Sequence, residues 1–246
     1  MRLDIYLTGK NFLETRTKAK LAIEKGLVQV NAKTILQPAF DVKKTDIVQL
    51  ISQPLKYVSK GGDKLQKAIS EFNISLKDKT ILDIGASTGG FTDCCLQNGA
   101  AFVYAVDVGT NQLHLSLKNN LKIKSLEQLH IKDLTPAHLD NKHVDAAVID
   151  VSFISIKKVL PEVSRFIKKD SIILALIKPQ FESTEKKKFK GGIVKNSKIH
   201  ASILDDIKSF SQSCNLKYIN HIETDVGPIE NKNLEFVMLF EYKPPS

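Results

Sequence analysis

This sequence predicts an α/β chain: an open, mostly parallel sheet covered by helices, preceded by a small N-terminal α+β module. Three observations carry that reading. Apolar runs at 80–82, 102–106, 144–149 and 172–177 are separated by stretches of helical periodicity, the alternation that builds βαβ units. The first run leads through Asp83-Ile84 into Gly85-Ala86-Ser87-Thr88-Gly89-Gly90 and then a helix. An α/β sheet uses such a strand, glycine loop and helix where its backbone must approach a bound nucleotide. The first 60 residues have a different texture, with short helical and strand patterns and most of the excess positive charge.

Charge and composition bound the class of function. The chain has 246 residues, 42% apolar and 26% charged, enough for a large domain beside a small one with a sizeable core. Its formal net charge is +9; residues 1–60 hold 11 basic and 5 acidic side chains, a net +6, leaving +3 for the rest. A basic segment ahead of a near-neutral body fits a polyanion-binding module attached to an enzyme-sized domain. Solvated lysine on a lysine-rich chain is the plainer reading of the same numbers. No apolar run reaches the roughly 18 residues of a membrane span, and MRLDIYLTGK has no signal-peptide core, so a cytoplasmic protein without a membrane partner is expected. Cys94, Cys95 and Cys214 show neither metal nor disulfide spacing and read as buried free thiols; no metal is expected.

In chain order, Leu3, Ile5, Tyr6 and Leu7 mark a first helix over 3–10. A second spans about 15–25, with Ala19, Ala22 and Ile23 on its apolar side, Arg16, Lys18, Lys20 and Lys25 opposite, and Gly26 ending it. Residues 27–31 and 46–50 read as strands joined by a turn containing Pro38. Pro54 stops the pairing, which places a linker over 53–60 between domains at 1–52 and 61–246. Gly61-Gly62 permits a tight turn that aims Lys64 back across the larger domain, ahead of a helix to about Phe72.

Gly85, Gly89 and Gly90 match neither G-x-G-x-x-G nor G-K-[ST], which leaves a nucleoside site rather than a polyphosphate site. After a helix at 91–97, the strand 102–106 ends in Asp107, where an α/β site holds ribose hydroxyls; a strand-end Asp also caps turns. A helix over 113–117 and a weak strand near 124–127 follow. Asp133 then either contacts an adenine amino group or caps a helix near Leu134-Thr135-Pro136. Strand 144–149 runs into Asp150 and 172–177 into Lys178, putting a carboxylate and an amine at the C-terminal edge of the sheet beside the glycine loop. Burial favours the neutral, proton-accepting form of such a lysine, with structural ion pairing as the alternative. Lys186, Lys187, Lys188 and Lys190 form a basic loop on the same edge, fit to clamp a substrate phosphate. A helix over 196–214 leads to strands over 218–226 and from about Glu235 to 242. Joined through Gly227-Pro228, they suggest a closing antiparallel hairpin that a pure dinucleotide fold lacks.

The N-terminal pattern, R-L-D-I-Y-L followed by R-x-K-A-K-x-x-I-x-x-G-x-V-x-V-N, resembles the S-four domain, a small RNA-binding fold. Beyond it come K-G-G-D-K-L, D-I-G-A-S-T-G-G-F-T-D, V-Y-A-V-D-V-G-x-x-Q-L, D-V-S-F-I-S, L-I-K-P-Q-F-E, K-G-G-I-V and N-x-E-F. In this order they resemble the TlyA (hemolysin A) family of ribosomal RNA 2'-O-methyltransferases, whose catalytic domain is FtsJ-like and built on a Rossmann-like S-adenosylmethionine-dependent sheet. The resemblance implies S-adenosyl-L-methionine as cofactor and ribosomal RNA or a ribosomal subunit as partner. It implies RNA phosphates on Arg2, Arg16, Lys18, Lys20 and Lys190. It also implies a catalytic tetrad of Lys64, Asp150, Lys178 and Glu235. Lys178 would draw the proton from a ribose 2'-hydroxyl, made less basic by Lys64, with Asp150 and Glu235 orienting the amines. Asp83, Gly85, Ser87, Gly89 and Phe91 would bind the cofactor, with Asp107 on its ribose. The chain's ends resemble the shorter family form, which modifies a cytidine of large-subunit 23S rRNA only. Two other readings stay open: a non-catalytic RNA-binding assembly factor, and a hemolysin, for which no lytic segment is visible.

Overall fold

The computed structural model describes residues 1–13, 15–51, 56–183, 193–224 and 233–244. Contacts divide the chain into two compact units, Met1–Lys56 and Tyr57–Ser246. Of the expected linker, residues 53–55 lie outside the described residues, and Tyr57 is already buried in the core of the second unit.

The first unit holds helices α1 (Leu3–Gly9) and α2 (Arg16–Glu24) with strands β1 (Val28–Val30), β2 (Lys33–Thr34) and β3 (Val48–Leu50), in antiparallel order β2-β1-β3. Thr15 starts α2 because its side chain accepts the Lys18 N–H at 3.2 Å, satisfying an amide the helix cannot. α2 turns Ala19, Ala22 and Ile23 onto Leu3, Leu7, Val28 and Val48, as its periodicity predicts. β2 is not legible in the sequence: two exposed residues carry no apolar signal, and the strand exists only as a partner for β1.

In the second unit a seven-stranded sheet runs β6-β5-β4-β7-β8-β10-β9, from β4 (Thr80–Ile84), β5 (Phe102–Val106), β6 (Ile123–Leu126), β7 (Val144–Ile149), β8 (Ile167–Ile177), β9 (Leu216–Glu223) and β10 (Phe236–Tyr242). β4 to β8 pair in parallel, whereas β10 is antiparallel to both β8 and β9, the closing hairpin the sequence suggests. Ile81, Val103, Val148, Leu174 and Val237 pack against α3 (Lys60–Glu71) and α4 (Gly90–Gln97). Their alternates Leu82, Val106, Ile149, Ile173 and Met238 form a second core with α5 (Leu160–Ser164) and α7 (Ser197–Gln212). Both faces are therefore covered, and this is why the strands read as continuous apolar runs. Cys94, Cys95 and Cys214 are free and buried in these layers.

One expectation changes. Gly61 and Gly62 do not form a turn ahead of a helix; they lie in the first turn of α3, which starts at Lys60. The reason is packing: a β-carbon on Gly62 would stand 2.3 Å from the Tyr57 ring, so the glycine lets the helix begin directly against the buried tyrosine. Lys178 is followed by a short helix α6 (Pro179–Glu182), with Pro179 at its first position, where a missing N–H costs nothing. The Gly227-Pro228 turn lies outside the described residues.

Candidate active site

The sheet order decides what meets at its C-terminal edge. β4, β7 and β8 are neighbours, with Ile84 opposite Ile149 and Ile149 opposite Ala175, so the residues just beyond them, Gly85, Asp150 and Lys178, share one rim. β10 runs the other way and pairs Phe236 with Ile177, which brings Glu235, ahead of its strand, to the same rim. Lys64 arrives from the second turn of α3.

These residues form two ion pairs. Lys178 Nζ lies 2.6 Å from Asp150 Oδ1 and donates to Ser152 Oγ at 2.8 Å; the Asp150 contact is ionic rather than an aligned hydrogen bond. Lys64 Nζ is paired with Glu235 Oε2. Lys64, Asp150 and Lys178 line one cavity of about 200 Å³ together with Ser59, Gly85 and Phe91. Glu235 is not in that lining and reaches it through Lys64.

A second cavity of about 400 Å³ shares Gly85, Ser87, Asp150 and Ser152 with the first and extends over Asp107, Val108, Gln112, His130 and Ile131. Its size lies within the range of about 300–1,000 Å³ common to ligand pockets. Gly85 sits at the junction with φ +82°, and a β-carbon there would stand 2.5 Å from the Asp150 carbonyl oxygen. Only glycine lets the two backbones come that close. Asp107 accepts the N–H groups of Ser87 and Gly109, each at 2.7 Å, which fixes its carboxylate at the wall while leaving lone pairs for a ligand.

The other expected cofactor residues fall differently. Gly89 is the N-cap of α4 and lies in neither lining. Asp83 is fully buried and lines neither cavity; Thr92 Oγ1 donates to its Oδ2 at 2.6 Å, and among the described residues Oδ1 has no hydrogen-bond partner. Burial, opposed by the Thr92 hydrogen bond and reinforced by Asp150, pushes its carboxyl up to about 7. Its bond to Thr92 ties the end of β4 to the first turn of α4. Asp133 ends a 3₁₀ turn over Ile131–Asp133 and is exposed; His130 and Ile131 line the cavity instead.

Sequence reasoning missed Ser152, Gln112 and Phe153, although the first and third lie in D-V-S-F and the second in V-D-V-G-x-x-Q-L. Phe153 is 86% exposed, holds φ +65° and stands on Phe181 with ring centroids 5.0 Å apart, at the rim of the larger cavity. A bulky residue in the left-handed region is strained, and its ring gains nothing from burial.

In the first unit Asp4, fully buried, collects both arginines: Arg2 Nε at 3.0 Å and Arg16 Nη2 at 2.9 Å. The Arg2 hydrogen bond, with help from Arg16 and against burial, holds its carboxyl well below the usual range. Lys18 and Lys20 are exposed on α2; Lys190 and the basic loop around it lie outside the described residues. No described helix is long and apolar enough to cross a membrane.

Residues 57–239 match the FtsJ-like methyltransferase family, and residues 1–48 the S4 domain. The chain is 44% identical over 210 residues to YqxC of Bacillus subtilis, which carries an rRNA methyltransferase name, covering 85% of this chain and 75% of that one. It is 36% identical over 201 residues to the 16S/23S rRNA (cytidine-2'-O)-methyltransferase TlyA of Mycobacterium tuberculosis, covering 81% and 75%. A solved structure from Streptococcus thermophilus that bears a hemolysin name superposes with a TM-score of 0.75 at 36% identity, covering 99% of this chain and 88% of that one. With a family match over most of its length and relatives 36–44% identical across more than 80% of it, this chain belongs to the TlyA family of FtsJ-like methyltransferases.

Proposed function

We propose that this protein transfers a methyl group from S-adenosylmethionine to the ribose 2'-hydroxyl of a cytidine in ribosomal RNA, acting in the cytoplasm. The observation that carries the reading is the meeting of Lys64, Asp150 and Lys178 in one cavity that opens through Gly85 and Ser87 into another walled by Asp107. The residues present suit the cofactor: a carboxylate for ribose hydroxyls, an apolar slot at Val106, Leu129 and Ile131 for a base, and a glycine passage between the cavities. When bound, S-adenosylmethionine supplies an electrophilic methyl on a sulfonium sulfur.

The chain's own groups then have defined work. Lys178, acting as the neutral amine, would take the 2'-hydroxyl proton and pass it on to water, leaving the oxygen to accept the methyl group that the cofactor supplies. Asp150 and Ser152 aim its Nζ. Lys64, held by Glu235, sets a positive charge beside the developing alkoxide. The exposed Phe153 ring offers a face on which the target base stacks once drawn out of its strand. Lys18, Lys20 and the outward edges of Arg2 and Arg16 hold RNA phosphates.

The test is Lys178→Ala. Methyl transfer to rRNA should fall about 10²- to 10⁴-fold while RNA affinity stays near native. Retained transfer, or failure of the native protein to bind S-adenosylmethionine in calorimetry, rules the proposal out. Comparing 2'-O-methylation maps of rRNA from cells with and without the gene identifies the nucleotide.

A further inference from the structure

The loop after β5 is braced before any ligand arrives. The Asn111 N–H donates to Glu127 Oε2 at 2.5 Å, and Lys118 caps Asn111 Oδ1. The Gln128 N–H donates to the Gly109 carbonyl at 3.1 Å and the Leu129 N–H to the Asp107 carbonyl at 3.0 Å. The Gln128 amide also donates to Thr110 Oγ1 at 2.8 Å. Gln112 leaves this fixed loop, and its side chain folds back over Gly109. A β-carbon built on Gly109 would stand 1.8 Å from Gln112 Nε2 and 3.1 Å from Asp107 Oδ1. Amide and carboxylate therefore lie side by side, and both belong to the lining of the larger cavity. Among the described residues no protein group hydrogen-bonds the Gln112 amide, so its donors and acceptor are available to a ligand.

The chemistry of the pair is complementary. Asp107, ionised, accepts only; two backbone N–H groups already hold one lone pair on each oxygen, and those left can take hydroxyl protons. A vicinal diol bound that way turns its own oxygen lone pairs outward, where they need a donor. An amide next to the carboxylate is such a donor. We propose that Gln112 is a specificity-determining residue of the cofactor cavity, its Nε2 donating to a ribose hydroxyl oxygen whose proton goes to Asp107. The pair then reads the cis-diol of an adenosyl group rather than its base. The inference rests on the reading that this cavity takes S-adenosylmethionine. It also gives a reason for Gly109, since a side chain there would displace the amide from the diol.

Calorimetry without RNA tests it, using S-adenosylhomocysteine and its 2'-deoxy and 3'-deoxy ribose analogues as probes. Gln112→Ala should weaken binding of the ribose compound about 3- to 10-fold, the size of one hydrogen bond. It should leave unchanged the affinity for whichever deoxy analogue lacks the hydroxyl that Gln112 contacts. Gly109→Ala should weaken the ribose compound similarly and add no loss in the Gln112→Ala background, because both changes remove the same contact. Gln112 is exposed, so thermal unfolding of Gln112→Ala should match the native protein. Native affinity in Gln112→Ala, or an equal loss for all three ligands, overturns the role of Gln112 alone. A native protein that binds none of them overturns the cofactor reading with it.

Discussion

Asp83 shows at the scale of one residue how position overrides chemistry. From sequence it stands with the glycine loop as a cofactor ligand; in the fold its carboxyl faces Thr92 in a wholly buried site. Its carboxyl is pushed from an ordinary 3.8 up to about 7, mainly by burial. The sign follows from linkage. Between those two values the folded state keeps a proton that the unfolded state has released, so stability falls as pH rises from about 4 to 7 and then levels off. Asp83→Asn removes the titration. The variant should match the native protein at pH 4 and exceed it in stability by a few kcal/mol at pH 8, because each tenfold change in proton affinity is worth about 1.4 kcal/mol. Denaturant unfolding at both values checks this, and a pH-independent difference refutes it. Burial of this kind leaves no trace in a motif, and neither does the left-handed backbone that holds Phe153 out in solvent.

Between elements, the site depends on how closely α3 approaches its neighbours. Gly62 admits the Tyr57 ring, and a β-carbon on Gly90 at the start of α4 would stand 2.0 Å from Ser59 Oγ. Lys64 lies in the next turn of α3 and reaches Glu235 ahead of β10. Gly62→Ala must push α3 off Tyr57. The overpacking should cost about 1–3 kcal/mol in thermal unfolding, and turnover should fall more than stability alone explains because Lys64 moves with the helix. Unchanged melting would mean that the tyrosine yields instead. Periodicity locates α3 and α4 well, since an apolar stripe is a local property. It misplaces the start of α3, because helix entry here is set by a tyrosine from another segment.

For the molecule as a whole, charge and chemistry are divided between the two units. The cationic face of α2 belongs to the first, and the paired lysines of the candidate site to the second. Replacing Lys18 and Lys20 by Gln should lower RNA affinity and flatten the dependence of log K on log salt by about 1 to 2, near 0.7–0.9 for each phosphate no longer neutralised. Binding of S-adenosylmethionine should not change, because those side chains lie in the other unit; an unaltered salt slope would remove α2 from the RNA interface.

By itself the sequence determined the alternation of strands and helices, the glycine loop, and the carboxylate and amine that end β7 and β8, because each is written in neighbouring residues. Only the tertiary structure decided that Glu235 meets Lys64, that Asp83 is buried against Thr92, and that Gln112 shares a cavity with Asp107. Those outcomes depend on the order and direction of strands far apart in the chain, and strand order is fixed by burying both faces of a sheet, a condition no local stretch of residues can satisfy.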